Sequence, residues 1–195
     1  DGIRDMPTGL VGSEMCIRDS LLINDTLTIS VNISGKEIAA PGYVEKVTTI
    51  LEETCAAPDY LGIELTESSL VSTGKDIIDK ITALRQMGVK FSVDDFGTGY
   101  SSLSYLKSLP LNTLKIDRSF VNDIKDGSED VVLVDTIILM ARNLGLEVIA
   151  EGVETEQEVL YLNKKGCEVY QGFYYSKPVP VETFTTMLQA RPRSV

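Results

Sequence analysis

The chain of 195 residues contains no histidine. That absence excludes a Ser-His-Asp triad, a His-ligated metal centre and the His-Asp type of metal phosphohydrolase. Cysteine is scarce too. Cys16, Cys55 and Cys167 are widely spaced with no CxxC pair, so neither a zinc knuckle nor a disulfide framework is expected. All three are read as buried thiols of a reducing, cytoplasmic protein. Positive charge is in short supply, with 18 Lys and Arg against 29 Asp and Glu and a net charge of −11. A surface of that sign excludes a nucleic acid polymer as main partner and a polybasic membrane anchor. The longest apolar run, around Val131 to Met140, is interrupted by Asp135 and falls far short of the roughly 20 residues a membrane span requires. No GxxxxGK[ST] occurs, and Gly97-Thr98-Gly99 lacks the third glycine of a dinucleotide fingerprint. Any catalysis must rest on oxygen ligands, lysine and amides.

What is present reads as α/β. Hydrophobic residues make up 43% of the chain, enough for one core. The length is nevertheless short for a complete (β/α)₈ barrel, which takes about 250 residues. Residues 1–20 show no helical or alternating period and repeat Ile-Arg-Asp at Ile3 and Ile17, so they are expected to be a foreign or disordered segment ahead of one partial domain at 21–195. From Leu21 onward, short apolar strands alternate with amphipathic helices. The strand candidates are Thr26–Asn32, Tyr60–Leu65, Val89–Asp95, Thr113–Asp117, Leu146–Glu151 and Cys167–Phe173. Helical stripes lie between them, with Thr73 and Ser128 as expected N-caps and Thr155 with Glu158 as a capping box. Gly88, Gly145 and Gly166 stand where a helix must stop before the next strand. Repeated strand–helix–Gly–strand units predict βαβ crossovers and a parallel sheet.

Polar residues cluster at the C-terminal ends of these strands: Asn32, Glu64, Asp94 with Asp95, Lys115, Glu151 and Gln171. Successive positions are about one βα unit apart, so a parallel sheet brings them to one rim, where ligands of such folds bind. Taken singly, each could be a helix cap or a surface pair. Together, four carboxylates on one rim would repel and raise one another's pKa unless cations match them. Hard divalent ions such as Mg²⁺ or Mn²⁺ suit carboxylate and amide oxygens, and two adjacent aspartates suggest a pair of ions placed for attack on a phosphate ester. The following loop supplies Gly97 and Gly99 together with the hydroxyls of Thr98, Ser101 and Ser102. A protein-kinase reading of Asp95-Phe96-Gly97 fails, because a His-Arg-Asp catalytic loop is impossible without histidine.

At these residues the sequence resembles a known family. VNIS at Val31–Ser34, ELTES at Glu64–Ser68, DDFGTGYSSLSYL from Asp94, LKIDRSFV from Leu114, AEGVET from Ala150 and QGFYYSKP from Gln171 occur in order. This is similar to the EAL domain, the cyclic di-GMP phosphodiesterase family of bacterial signalling, over about Leu27 to Leu188. The resemblance implies a TIM-like (β/α) barrel in which two Mg²⁺ or Mn²⁺ ions serve hydrolysis of cyclic di-GMP to linear pGpG. It implies Asn32, Glu64, Asp94, Asp95 and Glu151 as metal ligands, with Asp94 as the bridge. Lys115 would hold the attacking water or developing charge, with Glu154 and Gln171 completing the site around water and substrate. Thr98 and Ser101 would reach substrate, and Glu67 would fix the Asp-Asp loop and couple it to dimerisation. Partners implied are cyclic di-GMP, a second copy, and an attached sensor or GGDEF domain on a parent that could be membrane-tethered.

One departure stands out. The Glu-Ala-Leu signature, whose Glu is a metal ligand in the family, and the Arg that follows it are both missing. About six of eight βα units are expected, in an incomplete barrel that would be inactive or nearly so by itself. Two other readings share some features. A degenerate receptor would bind cyclic di-GMP without cleaving it, but such receptors lose ligands inside the motifs, and every motif present here is intact. An enolase-like Mg²⁺ lyase would share the acidic rim but not the loop DDFGTGYSS.

Overall fold

The computed structural model describes residues 28–71, 74–99, 103–122, 124 and 131–190. Six strands form one parallel sheet in chain order: β1 Ile29–Asn32, β2 Leu61–Thr66, β3 Lys90–Phe96, β4 Thr113–Ile116, β5 Glu147–Glu151 and β6 Val169–Gln171. Nine helices accompany them among the described residues: α1 Gly35–Ala39, α2 Tyr43–Thr54, α3 Glu67–Val71, α4 Lys75–Met87, α5 Leu103–Ser108, α6 Arg118–Asn122, α7 Val131–Asn143, α8 Glu156–Lys165 and α9 Val181–Ala190. A short 3₁₀ turn at Pro58–Tyr60 leads into β2. The sheet curls into an incomplete barrel, and among the described residues β1 and β6 each pair on one side only.

Strands flanked by helices outside and by one another within have no wet face, so they should read as continuous apolar runs. The central strands β2 to β4 are largely buried in this way, whereas β1, β5 and β6 keep exposed positions. β4 is buried at every position, and Ile63, Leu65, Phe91, Val93, Leu114, Ile116 and Ala150 are fully enclosed. The helices close the outer layer with Ile77, Ile81 and Leu84 of α4, Val134, Ile137, Ile138 and Ala141 of α7, and Leu162 of α8. Each buried Val, Leu, Ile or Phe side chain among them contributes about 1.5–3 kcal/mol of burial.

All six expected strands form, each with one or both ends displaced by a few residues, most at the sheet edges. β1 starts at Ile29, with Thr28 described outside the ladder and Thr26 and Leu27 outside the described residues. β6 stops at Gln171 rather than Phe173, because the chain turns away there and Tyr174 N–H donates to the Val153 carbonyl instead. Gly88, Gly145 and Gly166 all take left-handed φ, at 115°, 72° and 82°. The Thr155–Glu158 capping box is present. Helix α4 is capped by Gly74 with no side-chain bond, while Thr73 and Ser128 lie outside the described residues. One expectation about thiols needs correction. Cys167 is buried but Cys55 is exposed, because it ends α2 in a left-handed turn (φ 52°) that faces water; Cys16 lies outside the described residues. Among the described residues no helix is long and apolar enough to cross a membrane.

Candidate active site

Strand register decides which polar residues meet. Asn32 is paired with Glu64 across β1 and β2, Thr66 with Asp94 across β2 and β3, and Glu151 with Gln171 across β5 and β6. Between β3 and β4 the ladder slips: Val93 faces Leu114, but Phe96 faces Ile116. The slip is a bulge located at the aspartate pair. In a regular strand two successive side chains point to opposite faces. Here Asp95 takes φ 53°, a left-handed conformation that Asp tolerates at some cost, and one carboxylate oxygen from each of Asp94, Asp95 and Glu151 fall within 4.8 Å of one another.

Lys115 rises into this rim from β4, only 3% exposed. Its ammonium contacts Glu64 Oε2 at 2.7 Å, Asp94 Oδ1 at 3.0 Å and Glu151 Oε1 at 2.5 Å. Burial alone would pull the lysine pKa down, but hydrogen bonds and charge from Glu151 and Glu64 outweigh it and the net shift is upward. Lys115 is therefore a fixed cation at neutral pH. Glu151 moves the other way from an ordinary paired acid: burial raises its pKa, Lys115 opposes, and Asp94 and Glu64 add to the rise. Asp95 is raised as well, by burial, by the Asp94 charge and by its hydrogen bond with Asp117. One lysine is shared among three acids, and the buried Asp94 Oδ1 makes no hydrogen bond beyond that ion contact. A hard divalent cation fits this excess of oxygen donors.

The loop after the aspartates is held from below. Glu67, 3% exposed at the start of α3, accepts from Gly97 N–H at 2.9 Å and Gly99 N–H at 3.1 Å through Oε2. Both positions leave little room for a side chain. Gly97 sits at φ 104° with Phe120 only 2.7 Å from where a Cβ would stand, and a Cβ on Gly99 would meet the Glu67 carboxyl at 2.9 Å. Thr98 is exposed, and its hydroxyl donates to the Asp95 carbonyl at 2.9 Å; Ser101 and Ser102 lie outside the described residues.

The sequence-predicted set is thus brought together unevenly. Asp94, Asp95 and Glu151 form one cluster, Glu64 joins it through Lys115, and Asn32 is exposed beside Glu64. Glu154 and Gln171 are exposed and line, with Glu151, an open cleft of about 700 Å³. Two further residues of this rim escaped the sequence reading. Asp117 caps α6 through Ser119 N–H at 2.8 Å and Oγ at 2.5 Å, and shares a hydrogen bond with Asp95. Arg118 lines the same cleft. The signal for Asp117 was its place two residues beyond Lys115, on the same side of an extended strand.

The EAL domain family model matches residues 14–178. Cyclic di-GMP phosphodiesterase NbdA of Pseudomonas aeruginosa is 40% identical over 167 residues, which is 86% of this chain and 21% of NbdA. The chain thus spans about a fifth of that relative's length. PaMucR phosphodiesterase, solved as a c-di-GMP complex, superposes with a TM-score of 0.83 at 37% identity, covering 91% of this chain and 76% of that one. BlrP1 of Klebsiella pneumoniae, solved as a manganese and cy-diGMP complex, gives a TM-score of 0.78 at 28% identity over 87% of this chain and 44% of that one. Strand-end chemistry, sheet topology and family match all converge over the same stretch of polypeptide, and the chain belongs to the EAL domain family.

Proposed function

We propose that this chain carries most of the catalytic rim of a cyclic di-GMP phosphodiesterase that opens one phosphodiester to linear pGpG. The observation that carries the reading is the Asp94–Asp95–Glu151 cluster wrapped around a buried, permanently charged Lys115. Asn32, Glu64, Asp94, Asp95 and Glu151 would hold two Mg²⁺ or Mn²⁺ ions. Such ions supply positive charge against the phosphate and make water more acidic. The chain's own residues do the rest. Lys115 cannot be a base while its pKa is held up, so it donates hydrogen bonds and stabilises negative charge as water adds to phosphorus. The P–O3′ bond breaks, and the 3′-oxygen leaves with a proton. Glu151 and Glu154 border the cleft where that water must lie, and Gln171, Thr98 and Ser101 would orient the nucleotide. Glu67 would keep the aspartate loop in register with the rim through its bonds to the Gly97 and Gly99 amides, and through that loop would couple the site to dimerisation.

The cleft volume suits a ligand of dinucleotide size. Val132, Leu133 and Leu139 leave an exposed apolar face on α7, which supports pairing of two copies. A fused sensor or GGDEF domain and a cytoplasmic location accord with the kind of second messenger that the site would act on. The test is incubation of the full-length protein with cyclic di-GMP and Mn²⁺, followed by chromatography for pGpG. Hydrolysis should disappear on chelation and in Asp94→Ala. Turnover that survives both would overturn the proposal, whereas calorimetric binding in Ca²⁺ without any Mn²⁺-dependent turnover would point to a receptor.

A further inference from the structure

The loop from Glu151 to Thr155 carries two residues of the proposed site, and its backbone hydrogen bonds can be traced almost completely. Val153 N–H donates to the Gln171 carbonyl at 3.1 Å, and the Val153 carbonyl accepts from Tyr174 N–H at 3.0 Å. The next two amides, Glu154 N–H and Thr155 N–H, both donate to one oxygen, Oε2 of Glu158, at 2.7 Å and 2.8 Å. Glu158 is completely buried, on the inner side of α8.

A capping box needs only the second of these bonds. The glutamate at the third helical position reaches back to the N-cap amide, and a half-exposed side chain does this well enough. Glu158 goes one residue further, to Glu154, and does so as an acid with no access to water. Burying a carboxylate is costly unless hydrogen bonds compensate, and here the compensating donors belong to the loop that carries Glu151 and Glu154. The arrangement repeats, after β5, what Glu67 does for Gly97 and Gly99 after β3: one buried carboxylate oxygen collecting two amides of a ligand-bearing loop.

We infer that Glu158 is a positioning residue, which anchors the Glu151–Thr155 loop so that Glu151 stands beside Asp94 and Asp95 in a geometry fit for a divalent cation. This rests on the metal reading of that cluster. Thr155→Ala provides the control, because it removes the Thr155 hydroxyl that accepts from Glu158 N–H at 3.4 Å while leaving both bonds to Glu158 Oε2 intact. Mn²⁺ affinity is measured by calorimetry, thermal stability by melting, and amide hydrogen exchange on the metal-free protein. Glu158→Ala should weaken Mn²⁺ binding about 10-fold or more, as loss of an outer-sphere partner commonly does, and should speed exchange at the Glu154 and Thr155 amides. Glu158→Gln, which keeps an acceptor oxygen, should restore most of both. Thr155→Ala should lower the melting temperature yet leave Mn²⁺ affinity within about twofold of wild type, far short of that loss. Equal losses of affinity in Glu158→Ala and Thr155→Ala, or unchanged affinity in Glu158→Ala, would reduce Glu158 to a helix cap and overturn the inference. Should the wild-type chain take up no Mn²⁺, the metal reading falls, and the exchange rates alone decide: unchanged exchange in Glu158→Ala sinks the anchoring role too.

Discussion

Replacing Lys115 by methionine isolates what the buried cation does, because methionine keeps most of the volume and none of the charge. Lys115 contacts three carboxylates at 2.5–3.0 Å, with side-chain exposures of 4% for the lysine and 11–16% for the acids. At an effective dielectric of about 20, each contact is worth roughly 6 kcal/mol before desolvation. Most of that offsets the cost of taking the charges out of water. What a deletion measures is the penalty of leaving partners buried and unmatched, about 3–5 kcal/mol. For a chain of this size each kcal/mol moves the melting temperature by roughly 2–4 °C, so Lys115→Met should melt about 6–20 °C below wild type in EDTA at pH 7. The pH dependence follows from the signs. A lysine whose folded pKa is raised contributes in full below its unfolded pKa of about 10.4, so neutral pH lies on the plateau. In the variant, Glu64, Asp94 and Glu151 lose their counter-charge, and the deficit should shrink as pH falls and Glu151, whose pKa burial raises, takes up a proton. Scanning fluorimetry from pH 4 to 9 reads both effects. A melting temperature within 2 °C of wild type in EDTA, or a deficit independent of pH, would refute the view that the lysine organises the rim.

Glu151→Gln should act in the opposite direction. Because burial and the neighbouring acids raise the Glu151 pKa, its charge costs stability above that pKa, and neutralising it should raise the metal-free melting temperature at pH 7 while abolishing the stabilisation by Mn²⁺; a marked drop in the melting curve counts against this. Gly99→Ala would push a methyl to 2.9 Å from the Glu67 carboxyl, and is expected to lower the urea midpoint by the equivalent of about 1–2 kcal/mol. An unchanged midpoint would show that the loop yields freely. Cys167 is buried with its pKa pushed up to about 11 by burial, whereas Cys55 is exposed, so iodoacetamide at pH 8 should label Cys55 in the native chain and Cys167 only in urea, as read by peptide mass spectrometry. Equal labelling rates would show that Cys167 opens without unfolding.

Much of the fold was legible in the sequence because its signals are local. A short, largely apolar run such as Tyr60–Leu65 bounded by turn residues declares a buried strand by composition alone, and Gly88, Gly145 and Gly166 declare helix ends by what their backbones can do. The acidic rim was legible too, because successive polar strand ends in a parallel sheet have nowhere to go but one edge. The exposed Cys55 was missed for the converse reason. A lone cysteine on an amphipathic helix end carries no mark of which way the last residue turns.

By itself, the sequence determined where the six strands lie along the chain, the class of donor atoms and the position of each donor, since each depends on neighbours within a turn or a strand. Tertiary structure alone decided how those donors meet. The bulge that puts Asp94 and Asp95 on one side, the lysine shared among Glu64, Asp94 and Glu151, and the buried Glu158 reaching past its cap to Glu154 all depend on ladder register and packing between segments far apart in sequence. A shift of one residue in any ladder would turn those side chains to the other face, and nothing local to the chain specifies that register.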